Sequence, residues 1–173
     1  NIFNHKMQEG TDKKMDPEQM LKGRMAETLV EELLKKSGNT LYRFGYEAIM
    51  QNLVQLNAIF DARNEAGKQI RSIPDFILLD DKGEPFFVEV KFRYDGKVHW
   101  GGHDRILLER IQKYWNAKII FVNNSHKPYF QVSSAPYLNE RGELVCIPLT
   151  EEKSWKIDPL VYAEFETLVE KYL

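Results

Sequence analysis

The sequence predicts an α/β fold in which a mixed β-sheet is flanked by helices. Segments with helical periodicity alternate along the chain with short runs rich in β-branched and aromatic residues. Hydrophobic residues make up 43% of the 173 residues and aromatic residues 12%, which is enough for one core of ordinary size. We therefore expect a single domain over residues 16–173, preceded by a flexible tail over residues 1–15, whose polar sequence shows no period.

The first and the last helix of the chain are predicted from residues that typically begin a helix. Asp16 is a helix-capping residue type, Pro17 suits the first helical position, and Gln19 stands three residues after the cap, so a helix is expected over 16–36. Its apolar face is formed by Ala26, Leu29, Val30, Leu33 and Leu34. The final helix begins in the same way at Asp158 and Pro159. Its predicted apolar stripe is Val161, Phe165, Leu168 and Tyr172.

The elements between these helices follow from alternation, helical spacing and turn residues. In chain order we expect a strand over 40–46, a helix over 47–63 that ends near Gly67, a strand over 73–80, a hairpin turn over 81–83, a strand over 85–94, a loop over 95–102, a helix over 104–115, and strands over 118–123, 129–132 and 144–148. This order of elements predicts a mixed sheet with helices packed on its faces.

Composition excludes several classes of protein. The longest apolar runs, at 76–79 and 119–122, are far too short to cross a bilayer, and no basic-then-apolar leader opens the chain. Cys146 is the only cysteine, so an internal disulfide framework and a multi-cysteine zinc site are excluded. Its apolar neighbours predict a buried, inert thiol. We therefore expect a cytoplasmic protein.

Charge is unevenly distributed along the chain. The net charge is −2, with 24 basic and 26 acidic residues, so the whole molecule is not a polycation. Residues 91–118 nevertheless contain seven bases and three acids, a local charge of +4. A positive face on a mildly acidic protein suits a polyanion that contacts one side. The alternative is a solvated helix face with scattered lysines, and charge alone favours that alternative.

The residues with the clearest chemistry lie on the predicted hairpin. Glu89 and Lys91 are two residues apart on one strand, so they point to the same face, and Asp75 begins the neighbouring strand. Two carboxylates and one ammonium can therefore converge. A divalent cation removes the repulsion between the carboxylates, and hard oxygen ligands suit Mg²⁺. An adjacent lysine then positions a water or stabilises the charge on a phosphate under attack. A surface ion pair is the alternative for Glu89 and Lys91.

The first helix contributes a further acidic candidate. Glu27 precedes Val30 and Leu34 by about one and two turns, which places it at the edge of the apolar stripe. Gly23, one turn earlier, costs the helix about 1 kcal/mol relative to alanine, so we expect the helix to approach the sheet closely there. The alternative for Glu27 is a solvated carboxylate at a helix edge.

This arrangement resembles a known family. A helix with a glutamate, a strand, Pro74–Asp75 and Glu89-x-Lys91 on consecutive strands, then a helix and a strand, is similar to the PD-(D/E)xK nuclease superfamily. The resemblance covers residues 21–121 and implies a restriction-endonuclease-like core of αβββαβ order, with a helical insertion after the first strand and a C-terminal β/α extension. Within the superfamily, the helix around Gly23 and Glu27 looks most like stand-alone nucleases of the Holliday-junction-resolvase type.

The resemblance implies a Mg²⁺-dependent nuclease, with Mn²⁺ as a substitute ion, that hydrolyses phosphodiester bonds of nucleic acid, with DNA as the expected substrate. Asp75 and Glu89, helped by the backbone carbonyl of Val90, would hold the metal. Glu27 would hold a metal-bound water or a second ion. Lys91 would orient the hydrolytic water and stabilise the transition state.

Several basic residues, one tryptophan and one glutamine are expected to contact the nucleic acid. These are Arg24, Arg93, Lys97, Trp100, Arg105 and Gln112. Trp100 lies in a glycine-containing loop, where stacking on a base and packing over the hairpin end are equally good interpretations. A zinc pair of His99 and His103 is disfavoured, because the glycines between them argue against a helix.

A second class of function is a module of this fold that binds nucleic acid or a protein partner without cleaving. The intact set of charged residues favours the enzyme, whereas the near-neutral net charge favours the module. The sequence leaves open DNA or RNA, endonuclease or exonuclease, a repair, recombination or restriction role, and monomer or homodimer. A membrane is not an expected partner.

Overall fold

The fold is built around one mixed β-sheet. This computed structural model describes residues 16–45, 63–94 and 103–173, and the elements are numbered within those ranges. The strands are β1 (Thr40–Arg43), β2 (Phe76–Leu79), β3 (Pro85–Phe92), β4 (Lys118–Val122), β5 (Phe130–Ser133) and β6 (Ile147–Pro148). The helices are α1 (Pro17–Lys36), α2 (Glu65–Arg71), α3 (His103–Trp115) and α4 (Pro159–Tyr172), with a 3₁₀ turn at Leu149–Glu151.

The strands lie side by side in chain order, β1 to β6. The β3 and β4 strands are parallel, and the crossover between them includes α3, whereas the other neighbouring pairs are antiparallel. One face of the sheet packs against α1 and α4 in a core that includes Phe76, Val90 and Phe165. The other face packs against α3 in a second core around Ile111 and Ile119. The predicted mixed sheet flanked by helices is confirmed.

The first helix forms where its start signals predict. The Asp16 carboxylate accepts a hydrogen bond from the Glu18 amide at 3.2 Å, and Pro17 is the first helical residue. The helix ends after Lys36, where the Ser37 amide donates to the Leu33 carbonyl at 3.0 Å. The predicted apolar face packs into the core, with four residues fully buried and the fifth partly buried. The fully buried residues are Ala26, Val30, Leu33 and Leu34, and the fifth is Leu29.

Two predictions near the C-terminus were wrong in detail. The strand expected over 144–148 is reduced to β6, and residues 138 and 144 form only an isolated bridge. In α4, Phe165 is buried and Val161 and Leu168 pack against the core as predicted, and Val169, four residues after Phe165 on the same face, is also buried. Tyr172 instead remains 50% exposed and lines a groove against α1.

The segment before β2 also differs from the prediction. The expected helix over 47–63 lies outside the described residues except at its last position. Gly67 does not end a helix but is buried inside α2, which begins at Asn64, whose side chain accepts from the Gly67 amide at 2.7 Å. Glu65 joins this short helix to α3 through hydrogen bonds from Tyr114 and Lys113, which lower the pKa of its carboxyl to about 2.

Other expectations concern single residues and membranes. Cys146 is half-buried, and burial raises the pKa of its thiol to about 11, as an inert thiol requires.

Within the three described ranges, no helix combines the length and the apolar character needed to span a bilayer. The tail over 1–15 and the loop over 95–102 lie outside those ranges.

A buried carboxylate connects α1 to the edge strand β1. Glu31 is 7% exposed, and its two oxygens bind Lys35 at 2.6 Å and Arg43 at 2.5 Å. Burial raises the pKa of Glu31, but the hydrogen bonds and charges of Lys35 and Arg43 outweigh it and leave the pKa lowered. The carboxylate is therefore more favourable in the folded chain than in the unfolded chain.

We expect Glu31→Gln to lower the free energy of unfolding at pH 7 by about 1 kcal/mol, because both cations are half-exposed and screened by solvent. A carboxyl whose pKa is lower in the folded state stabilises the fold at pH values above its unfolded-state pKa. That stabilisation is lost as the pH falls through the folded-state pKa. The difference from the wild type is therefore expected to shrink below pH 4.5, the ordinary value. Urea unfolding at pH 7 and pH 3.5 measures this, with exposed Glu32→Gln as control. An equal deficit at both pH values contradicts the assignment.

Candidate active site

The β2–β3 hairpin brings two carboxylates together. Its register pairs Phe76 with Val88, which places Asp75 opposite Glu89 one position further along. The two carboxyl groups are close enough that the charge of Glu89 helps to raise the pKa of Asp75. The Val90 amide donates to Asp75 Oδ2 at 2.7 Å, so the carboxylate is fixed against the backbone of β3.

The backbone of Asp75 is also fixed from the other side. Its carbonyl accepts hydrogen bonds from the amides of Phe44 at 2.8 Å and Gly45 at 3.1 Å, in the chain that continues from β1. A side chain at Gly45 would begin 3.6 Å from Asp75 Oδ1, an ordinary contact distance. Asp75 therefore lies between two strands, with its side chain directed to Glu89.

Alternation along β3 separates its polar and apolar side chains. Val88, Val90 and Phe92 enter the core beneath α1, whereas Glu89 and Lys91 share the opposite face. Glu89 is only 5% exposed, and the Lys91 ammonium forms an ion pair with its Oε1. The Lys91 side chain is 23% exposed, so this is not the surface pair that the alternative interpretation proposed.

Burial and mutual charge decide the protonation of this cluster. Burial raises the pKa of Asp75, and the charge of Glu89 raises it further, against the opposing effects of Lys91 and the Val90 amide. Burial lowers the pKa of Lys91, but the charges of Glu89 and Asp75 outweigh it, so the pKa is raised. Lys91 is therefore an ammonium paired to Glu89, as predicted for the metal-free protein, and the carboxylate pair favours holding a proton between its members.

An open cleft of about 420 Å³ lies beside the cluster, between α1, the end of β3 and the start of α3. Lys91 lines this cleft and pairs with Glu89, so it connects the cleft to the carboxylates. Basic side chains from two elements, Arg24 of α1 and Arg93 just after β3, also line it. The cleft thus combines cationic walls with a nearby pair of carboxyl groups, to which Lys91 connects it.

Glu27 lines the same cleft and is partly buried. It does not complete a metal-binding set, because the described residues contain no group of three or more acidic, histidine or cysteine side chains able to hold one ion. The expectation for Gly23 was wrong. A Cβ there would meet no atom within 4 Å, so Gly23 is not needed for the helix to approach the sheet.

Arg93 is held in place at the cleft wall. Its Nη2 donates to Asp104 Oδ1 at 2.8 Å and its Nη1 donates to the Phe92 carbonyl at 2.8 Å. Its Nε is buried and has no hydrogen-bond partner among the described residues. The side chain is 20% exposed, and its charge acts to lower the pKa of nearby Lys91. Two neighbouring cations in one cleft repel each other, and a bound anion relieves that repulsion.

The other predicted nucleic-acid contacts have different positions. Arg24 is exposed and lines the cleft. Arg105 is exposed and pairs with Glu109 at 2.9 Å. Gln112 is also exposed, and neither of these two residues lines the cleft. The predictions for Lys97 and Trp100, and for His99 in the rejected zinc pair, fall on residues outside the described ranges.

Two residues that interact with members of the cluster or the cleft were missed in the sequence. Asp104 orients Arg93, and the available signal was an acid at the start of the helix after the basic strand end. Tyr137 is buried in the core on the α3 face, where burial and the charge of Glu89 raise its pKa, and its hydroxyl donates to the Ala117 carbonyl. It lies in an irregular segment, so no periodic pattern marks it.

Comparisons with known proteins add little to this geometry. No protein-family model matches the chain, and no curated protein matches it. Among solved structures, the chain is similar to the Holliday junction resolvase Hjc of the archaeal hyperthermophile Archaeoglobus fulgidus, with a TM-score of 0.40 and 14% identity. That match covers 82% of this chain and 98% of the resolvase chain. At this level the likeness carries no functional argument.

We expect Asp75→Asn to stabilise the metal-free protein in a pH-dependent way. A group whose pKa is higher in the folded state stabilises the fold fully at pH values below its unfolded-state pKa. That stabilisation is lost as the pH rises through the folded-state pKa. In EDTA, the wild type is therefore expected to lose up to about 1.4 kcal/mol per pH unit between the ordinary pKa of Asp75 and neutral pH. Asparagine does not titrate, so the variant has no such loss. Its free energy of unfolding should therefore exceed that of the wild type most at pH 8.

Chemical denaturation in EDTA at pH 5, 6.5 and 8 measures the difference. Asp81→Asn, an exposed change in the turn of the same hairpin, is the matched control and should show no such trend. A stability difference that is constant from pH 5 to pH 8 contradicts the proton-holding pair.

Proposed function

We propose that this protein is a metal-dependent nuclease that hydrolyses phosphodiester bonds of nucleic acid, with DNA as the expected substrate. The observation that carries the proposal is the cluster of Asp75, Glu89 and Lys91, in which Glu89 is buried and the other two are partly buried, beside a cleft with cationic walls. Apart from α2, which stands between β1 and β2, the order α1, β1, β2, β3, α3, β4 supports a restriction-endonuclease-like core as its scaffold.

The donor set fits a divalent cation. Asp75 and Glu89 supply hard oxygens from opposing strand positions, and the raised pKa of Asp75 beside the charge of Glu89 supports the proposal that the pair takes up one positive charge. A proton satisfies this pair in the metal-free protein, and Mg²⁺, or Mn²⁺, would replace it. The carbonyl of Val90 is the further ligand we propose. When bound, the ion supplies Lewis-acid activation and charge neutralisation at a phosphate.

The remaining charges act on the substrate. Lys91 stays protonated, so its ammonium can stabilise the negative charge that develops on a phosphate during displacement. Arg93, oriented by Asp104, and Arg24 bind phosphates along the strand. Glu27 lies at the same cleft without joining the carboxylate pair, so we propose that it positions a water there.

We expect Lys91→Ala to cleave about 10² to 10³-fold more slowly than the wild type, because one electrostatic stabiliser of the transition state is lost. The measurement is single-turnover cleavage of linear, nicked, branched and single-stranded substrates with saturating Mg²⁺ or Mn²⁺. Metal binding should be largely retained, since the oxygen ligands remain, and calorimetric titration with Mn²⁺ checks it.

Exposed Lys153→Ala is the matched control for loss of one positive charge. Cleavage by Lys91→Ala at the wild-type rate shows that Lys91 has no catalytic role. Tight binding of nucleic acid by a wild-type protein that cleaves none of these substrates with either ion shows that the fold serves as a binding module.

Arg93→Ala is expected to weaken nucleic-acid binding by about tenfold and to reduce the salt slope of binding by about one. The loss should fall mainly in affinity, because Arg93 is proposed to bind a phosphate and not to act on the reacting one. Asp104→Asn should produce a smaller loss through a less ordered guanidinium. Fluorescence anisotropy from 50 to 200 mM salt measures both, with exposed Arg141→Ala as control. An unchanged salt slope contradicts a phosphate contact.

A further inference from the structure

Gly23 weakens α1 without any packing reason inside the protein. It lies in the interior of a 20-residue helix, where glycine is the least favourable residue after proline. A Cβ at this position would meet no atom within 4 Å, so neither the sheet nor a neighbouring side chain requires its absence. Its backbone is helical, with no positive φ that would demand glycine.

The space that a side chain at position 23 would occupy belongs to the cleft. Gly23 lies one turn before Glu27 and lines the same cleft as Lys91 and Arg93 at the end of β3. A larger side chain here would take up volume in the cleft that these two cations also line. The space is therefore part of the cleft and not part of the core.

We propose that Gly23 is a positioning residue, over which the sugar–phosphate backbone of the substrate strand crosses α1 in van der Waals contact. This inference rests on the nuclease function proposed above. Backbone amides in a helix interior are already hydrogen-bonded along the helix, so the contact at Gly23 is one of shape. It lets the sugar edge reach the helix while the adjoining phosphates reach Arg93 and Lys91.

The proposal predicts that substitutions of Gly23 change protein stability and nucleic-acid binding in opposite directions. A glycine with a purely structural role would not have this effect. Gly23→Ala should raise the melting temperature by about 2 to 4 °C, because alanine is the better helix residue and meets no clash. The same change should weaken binding of a fluorescent 20-mer oligonucleotide by about threefold, and Gly23→Leu by about tenfold or more, as bulk enters the path of the strand. Cleavage in Mg²⁺ should fall in the same order.

The experiment measures melting temperature and oligonucleotide binding in EDTA, and cleavage in Mg²⁺, for wild type, Gly23→Ala and Gly23→Leu. Ala163→Leu, which adds bulk at an exposed position of α4, is the control. Weaker binding by stabilised Gly23 variants, with Ala163→Leu unchanged, supports the proposal. Wild-type binding and cleavage by Gly23→Leu, or equal loss in Ala163→Leu, overturns it. If Gly23→Leu does not fold, Gly23→Ala decides alone. A wild type that neither binds nor cleaves nucleic acid instead refutes the proposed function.

Discussion

Two carboxylates face each other at low exposure on the β2–β3 hairpin, and electrostatics opposes this placement. The hairpin enforces it because the strand register sets Asp75 opposite Glu89, while the Val90 amide and the amides of Phe44 and Gly45 fix Asp75 from both sides. The stability of the sheet therefore holds the repelling groups together. Such a cost is common where side chains are arranged for chemistry and not for stability.

The surroundings reduce that cost without removing it. Lys91 neutralises Glu89, and the raised pKa of Asp75 allows the pair to retain a proton. Further along the same face, Arg93 is balanced by Asp104. Opposite charges are thus paired at the end of β3, and both pairs, Glu89 with Lys91 and Asp104 with Arg93, include a cation that lines the cleft.

The helix α1 serves both the core and the cleft. Its buried face, which includes Val30 and Leu33, packs on the sheet, and Glu31 attaches its C-terminal half to β1. The N-terminal half borders the cleft, where Gly23 and Glu27 lie. One helix can do both because its apolar stripe is confined to the later turns, so the earlier turns extend past the packed core.

The sequence by itself determined the elements that carry local signals and the shared face of Glu89 and Lys91 on β3. Capping at Asp16 and Asp158 and the alternation through Glu89 and Lys91 depend on neighbouring residues only, so they are readable in the chain. The tertiary structure decided what depends on residues distant in sequence. The Arg93–Asp104 pair, the separation of Glu27 from the carboxylate pair and the open space at Gly23 all follow from how α1 and α3 pack against the sheet, and no local pattern encodes those distances.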